Sequence, residues 1–147
     1  MSALIDDMPR QYPHHFQIII RLQLVRAKVC DLARCDLSRE HLALAELQSS
    51  CQSVSTAARE AGLQALMAVS QEVSARLAVA LRTAQITEAM LGLIGDWAAN
   101  AELYLRRPHF RGFARTLVLQ LNDPAWGAVM EGAAQMRLLH ELTGSWP

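Results

Sequence analysis

Apolar residues return every three to four positions along almost the whole chain, which is the period of an α-helix. No stretch sustains the alternation of a half-buried strand. The pattern predicts six helices. The first runs from about His15 to Arg34, with the stripe Ile18, Leu22, Val25, Val29 and Leu32. Pro13 precedes it, and Cys35-Asp36-Leu37 breaks it. The second starts at Ser38, a good N-cap, and continues to about Ala61. Its stripe is Leu44, Leu47, Cys51, Val54, Ala58 and Ala61, the seam of a bundle helix.

Gly62 ends that helix, and a third follows from about Leu63 to Thr83 with Leu63, Leu66, Val69, Val73, Leu77 and Ala80 inward. Thr87 caps a fourth, with Glu88 in its first turn. Its stripe is Met90, Ile94, Trp97, Ala101 and Tyr104, and Pro108 stops it. A shorter fifth spans about Phe110 to Leu121. Asp123-Pro124 is a helix-start signal, and the last helix is expected to reach Leu142 before Gly144 closes it. Short connections between such helices imply an antiparallel bundle, with the two shorter C-terminal helices packed on it. The expected class is all-α, with residues 1–147 forming one helical domain.

Composition narrows the classes. Hydrophobic residues make up 52% of 147, enough for one core. Fourteen basic and fourteen acidic side chains cancel, so the chain as a whole has no long-range pull on nucleic acid or an anionic membrane. Cys30, Cys35 and Cys51 form no CxxC pair, and their odd number argues against a disulfide framework; they read as small core residues. A reducing cytoplasm is the simplest setting. Residues 1–13 lack the apolar stretch of a signal peptide, and Arg21 interrupts Ile18-Ile19-Ile20, so no membrane span is expected. His41, His109, His140 and the pair His14-His15 have no metal-site spacing, and His14-His15 reads as exposed at a helix start. No catalytic set, phosphate loop or cofactor motif is visible, so neither an enzyme nor a cofactor is expected.

One string is more specific: Cys51-Gln52-Ser53-Val54-Ser55-Thr56-Ala57-Ala58-Arg59-Glu60-Ala61-Gly62-Leu63, followed by Leu66, Val69, Val73 and Leu77. It resembles histidine-phosphotransfer (HPt) domains, including the phosphorylated N-terminal domain of chemotaxis-type kinases. With Gln52 at the histidine position, Cys51 is the small residue before it and Val54 the apolar residue two after. Ala57 and Ala58 are the small pair, Gly62 stands at plus ten and Leu63 at plus eleven. The resemblance covers about residues 15–107 and leaves 108–143 as an unexplained helical extension. It implies a four-helix bundle of HPt type and a partner that is a response-regulator receiver domain or a histidine kinase.

The departures define the expected function. A carboxamide nitrogen has its lone pair delocalised into the carbonyl, so Gln52 cannot carry a phosphoryl group as an imidazole does. The family's basic residue at plus three is Ser55, and its glycine at plus four is Thr56. The packing positions are kept while the chemical ones are changed. The resemblance therefore implies a pseudo-HPt adaptor of two-component or chemotaxis-like signalling, without phosphotransfer. Its docking face would be Gln48, Ser49, Gln52, Ser55, Thr56 and Arg59, polar and expected to be exposed. The plain alternative is a solvated face of a structural or oligomerising bundle, and a homodimer stays open.

Arg106, Arg107, Arg111 and Arg115, with His109, are the main concentration of charge, and Tyr104, Phe110 and Phe113 lie among them. Such a mixture can bind an anion or nucleic acid. Favourable positive charge at a helix C-terminus, with the aromatics in the core, accounts for it more simply. Nucleic acid is therefore not the expected partner. Trp97 and Trp126 are expected to anchor the core, with Trp146 in the tail.

Overall fold

A computed structural model describes residues 13–107, 110–127 and 130–144. Six α-helices occur among the described residues, and all of them follow the apolar period. They are α1 (Pro13–Leu32), α2 (His41–Glu60), α3 (Gln64–Arg82), α4 (Glu88–Arg106), α5 (Arg111–Gln120) and α6 (Gly132–Gly144). Short 3₁₀ turns cover Leu37–Arg39 and Pro124–Trp126. No strand occurs among the described residues. The protein is all-α, and no helix is long and apolar enough to cross a membrane among the described residues.

Two helix starts differ from expectation. Ser38 does not cap α2: it lies within the 3₁₀ turn, and Glu40 takes the N-cap position without a side-chain bond. Asp123 does cap, accepting from the Ala125 N–H at 2.9 Å, but it opens only a single 3₁₀ turn. Gly127, at φ +71°, ends that turn, and α6 starts only at Gly132. The single last helix expected from Asp123 is thus two elements. Asn122 steadies the link between them, its side-chain oxygen accepting from the Met130 N–H at 2.9 Å. Thr87 behaves as expected and accepts from the Met90 N–H at 3.2 Å.

The predicted stripes form the core. Every stripe residue named for the first four helices is buried except Ala61 and Met90, which are half-buried. Ile19 joins Ile18 inside, because α1 is covered from two sides: it packs against both α2 and α4. Gly95 faces Val29 across the α1–α4 contact, where an added Cβ would come to 3.4 Å from the valine methyl. Trp97 and Trp126 are both buried. Trp146 and His109 lie outside the described residues, as do Pro108 and the side chain of His14.

α2 and α3 form the tightest hairpin, and its turn follows from helix capping. Gly62 sits at φ +78°, the left-handed region that glycine enters without steric cost. The Leu63 N–H then reaches back to the Ala58 carbonyl at 2.9 Å and the Gly62 N–H to that of Arg59 at 3.0 Å. Leu63 is buried just beyond the glycine, completing the apolar contact of this C-cap.

The C-terminal elements are built into this body. α5 packs on α4, α6 on α5 and α3, and the Pro124–Trp126 turn on α4. The Arg76 guanidinium on α3 donates to the Leu121 carbonyl, lies 5.7 Å from the Trp126 ring and pairs with Glu72 at 3.0 Å. The Trp126 indole N–H is satisfied by the Gln120 carbonyl at 3.0 Å.

Candidate functional site

The α2–α3 hairpin sets the register of the site. Arg59 and Met67 stand across from each other near the turn, the Arg59 Nε pointing at the methionine sulfur at 3.3 Å. Four residues back along α2 and four forward along α3 bring Ser55 opposite Gln71. One turn further places Gln52 near Ser74. A groove of about 380 Å³ runs along this seam. From α2 it is lined by Gln48, Gln52, Ser55, Thr56 and Arg59, and from α3 by Gln71, Ser74 and Ala75.

Five of the six expected face residues therefore share one concavity. Ser49 does not belong to it. It lies on a separate, shallower surface beside Lys28, Glu46 and Ser53, on the side of α2 that meets α1. There Lys28 and Glu46 approach at 3.8 Å, and Arg21 donates to the Ser53 carbonyl at 2.8 Å.

Exposure within the face is also uneven. Gln52, Thr56 and Arg59 are exposed and Gln48 is half-buried, but Ser55 is only 3% exposed. The expectation that Ser55 lies on the surface is corrected. It is four residues after buried Cys51 and three before buried Ala58, so it occupies the edge of the seam rather than the outer stripe. Its Oγ has no hydrogen-bond partner among the described residues. Leaving a buried hydroxyl unpaired costs about 1–3 kcal/mol. Thr56, by contrast, turns its hydroxyl back to the Gln52 carbonyl at 3.3 Å.

The charge of the groove is simple. Arg59 has no ion-pair partner among the described residues, and no carboxylate lines the cavity. Glu60 is adjacent in sequence, but neighbouring helix positions point about 100° apart. Glu72 is held away by Arg76. The α3 contributors Gln71, Ser74 and Ala75 were missed in the sequence. Their signal was present: Ser70 and Ser74, four residues apart and both buried, mark a polar edge on the α3 seam.

The other candidates separate clearly. Cys51 is fully buried, and burial pushes its thiol up to about 12. Cys30 and Cys35 are exposed, so the expectation of three core cysteines holds for Cys51 alone. They fall off the α1 stripe, Cys30 one position past Val29 and Cys35 in the turn. His15 is buried, against the expectation for a helix start, because α1 begins at Pro13 and is already packed there. His41 and His140 are exposed. No group of three metal-ligating side chains occurs among the described residues.

The basic cluster is partly dismantled. Arg106 is bound along its own helix to Glu102 at 3.2 Å and is largely covered. Arg107, Arg111 and Arg115 are exposed. Of the interleaved aromatics, Tyr104 is buried and Phe113 half-buried, while Phe110 is exposed and tilts against Phe113 with ring centroids 4.9 Å apart. Placing all the aromatics in the core is therefore corrected for Phe110.

No protein-family model matches this sequence, and neither a curated protein nor a solved structure matches the chain.

Proposed function

We propose that the protein is a non-catalytic docking module of HPt type, a four-helix bundle with added C-terminal helices. It would bind a receiver domain or a histidine kinase through the α2–α3 groove in two-component or chemotaxis-like signalling in the cytoplasm. The observation that supports this best is the placement of Gln52. The position that the resemblance assigns to the phosphorylated histidine is exposed at the rim of a polar groove. A glutamine there offers hydrogen bonds to a partner and no nucleophile. The adaptor would hold its partner or compete for it without passing on phosphate.

The test is binding of purified receiver domains and kinases to the whole chain. Gln52→Arg, which adds bulk and charge at the rim, is expected to abolish the interaction while leaving the helical signal unchanged. Failure of every receiver and kinase to bind, or indifference to Gln52→Arg, sinks the proposal. An oligomerising bundle is the second reading. It is favoured by Ile20 and Leu24, two large apolar residues one turn apart on α1 that are 44% and 52% exposed. A dimer lost in Leu24→Glu, measured by light scattering, would support it.

A further inference from the structure

The groove beside Gln52 has the chemistry of a small-ligand site, whatever protein docks over it. We propose that it binds a small, singly charged hydroxy-carboxylate, with the carboxylate on Arg59 and the ligand's hydroxyls along Ser55, Gln52 and Gln71. The inference rests on the groove alone and does not depend on the docking reading.

Charge sets the class of ligand. Arg59 is the one cation among the lining residues, it has no ion pair among the described residues, and no lining acid competes for it. Its Nε faces a thioether, a weak acceptor, so the guanidinium fork is unspent. A fork of this shape pairs with a planar carboxylate through two parallel bonds. One cation matches one negative charge. An ammonium group would meet no acid to neutralise it, which disfavours free amino acids, and a dianion would leave one charge unmatched.

The rest of the lining sets what the ligand carries. The carboxamides of Gln52 and Gln71 make no hydrogen bond within the protein among the described residues, and each presents both donors and an acceptor. Ser55 supplies the second independent sign of a ligand. Its hydroxyl is buried at the groove without a partner among the described residues, and a ligand oxygen would recover the lost bond. Thr56 has already given its proton to the Gln52 carbonyl and remains an acceptor only. Hydroxyl groups, which donate and accept, fit all of these positions.

The helix sets the length. Ser55 lies one turn before Arg59, a rise of about 6 Å, and Gln52 about 4.5 Å further back. A carboxylate on Arg59 therefore brings its fifth or sixth carbon level with Ser55. Chains of five or six carbons, of the sugar-acid type, fit this spacing.

The test uses the whole chain labelled for NMR, titrated with gluconate, with neutral sorbitol and with inorganic phosphate. Gluconate is expected to shift the amide signals of Ser55, Gln52 and Gln71 with an affinity in the range of about 1 mM or tighter. Arg59→Gln, an exposed change that leaves the core intact, should weaken this at least about tenfold, as expected for a charge-assisted bond. Ser55→Ala should weaken it severalfold while keeping the helical signal. No shifts at these residues with gluconate, or shifts that survive Arg59→Gln, overturn the proposal. So does equal binding of sorbitol, which lacks the charge, or tighter binding of phosphate, which lacks the carbon chain. Gluconate binding without any receiver or kinase partner would leave this inference standing and the docking reading fallen. The reverse result would separate them the other way.

Discussion

The Tyr104 hydroxyl donates to the Leu142 carbonyl at 2.6 Å, and this bond joins the buried end of α4 to the last turn of α6. Carbonyls in a last helical turn lack a donor from their own helix, so Tyr104 supplies one from another. Tyr104→Phe keeps the ring and removes the donor of this bond. It is expected to lower stability by about 1–2 kcal/mol, since the Leu142 carbonyl loses its donor from Tyr104. Urea unfolding measures this, and an unchanged midpoint would show that the bond contributes nothing.

The two helix ends flanking α3 are built alike from different residues. At the first, Gly62 takes φ +78°; at the second, Ala84 takes φ +54°, and the Gln85 N–H reaches the Ala80 carbonyl at 2.8 Å. Nothing lies within 4 Å of a Cβ placed on Gly62, so Gly62→Ala isolates the backbone cost. It should destabilise by about 1 kcal/mol. Ala84→Gly should do the opposite, stabilising by roughly 0.5 kcal/mol after the greater freedom of the unfolded glycine is counted. Thermal unfolding of the two variants should move in opposite directions; movement of both the same way would contradict the shared geometry.

Cys51 gives the protein a pH dependence at high pH. Its thiol titrates near the ordinary value of 9.0 when unfolded and near 12 when folded, because burial disfavours the thiolate. The folded state therefore holds the proton longer. Its contribution to stability is fully present below pH 9.0 and is lost as pH rises towards about 12. Across that window the wild type is expected to lose stability more steeply than Cys51→Ala; parallel pH profiles would refute it. In the native protein at pH 8, a thiol reagent should titrate Cys30 and Cys35 promptly and Cys51 only after unfolding.

The sequence revealed the helices because their periods are long and uninterrupted. Leu44, Leu47, Cys51 and Val54 could be assigned inward by spacing alone. The edges of the stripes were less legible. Ser55 looks like its neighbours Ser53 and Thr56, and only its position between Cys51 and Ala58 distinguishes it. The groove was half visible, since α2 was read and its α3 wall was not; a cavity between two helices depends on their register, which no single helix encodes. The split between Pro124 and Gly132 was hidden because a capped Pro start signals equally a 3₁₀ turn and a long helix. Gly62-Leu63 needs separate weight. Glycine followed by a buried leucine is what this helix end requires physically, so the pair also arises in hairpins of no common origin.

The Arg76 contact with Leu121 bears on how the molecule comes apart. The Leu121 carbonyl closes the end of α5, and its donor comes from α3, 45 residues earlier. Residues beyond the fourth helix thus complete their own hydrogen bonding only while the first four remain assembled. Frayed away, they would leave Tyr104 and Arg76 facing water. Melting is therefore expected to be one cooperative event rather than a peeling of the C-terminal elements followed by loss of the first four helices.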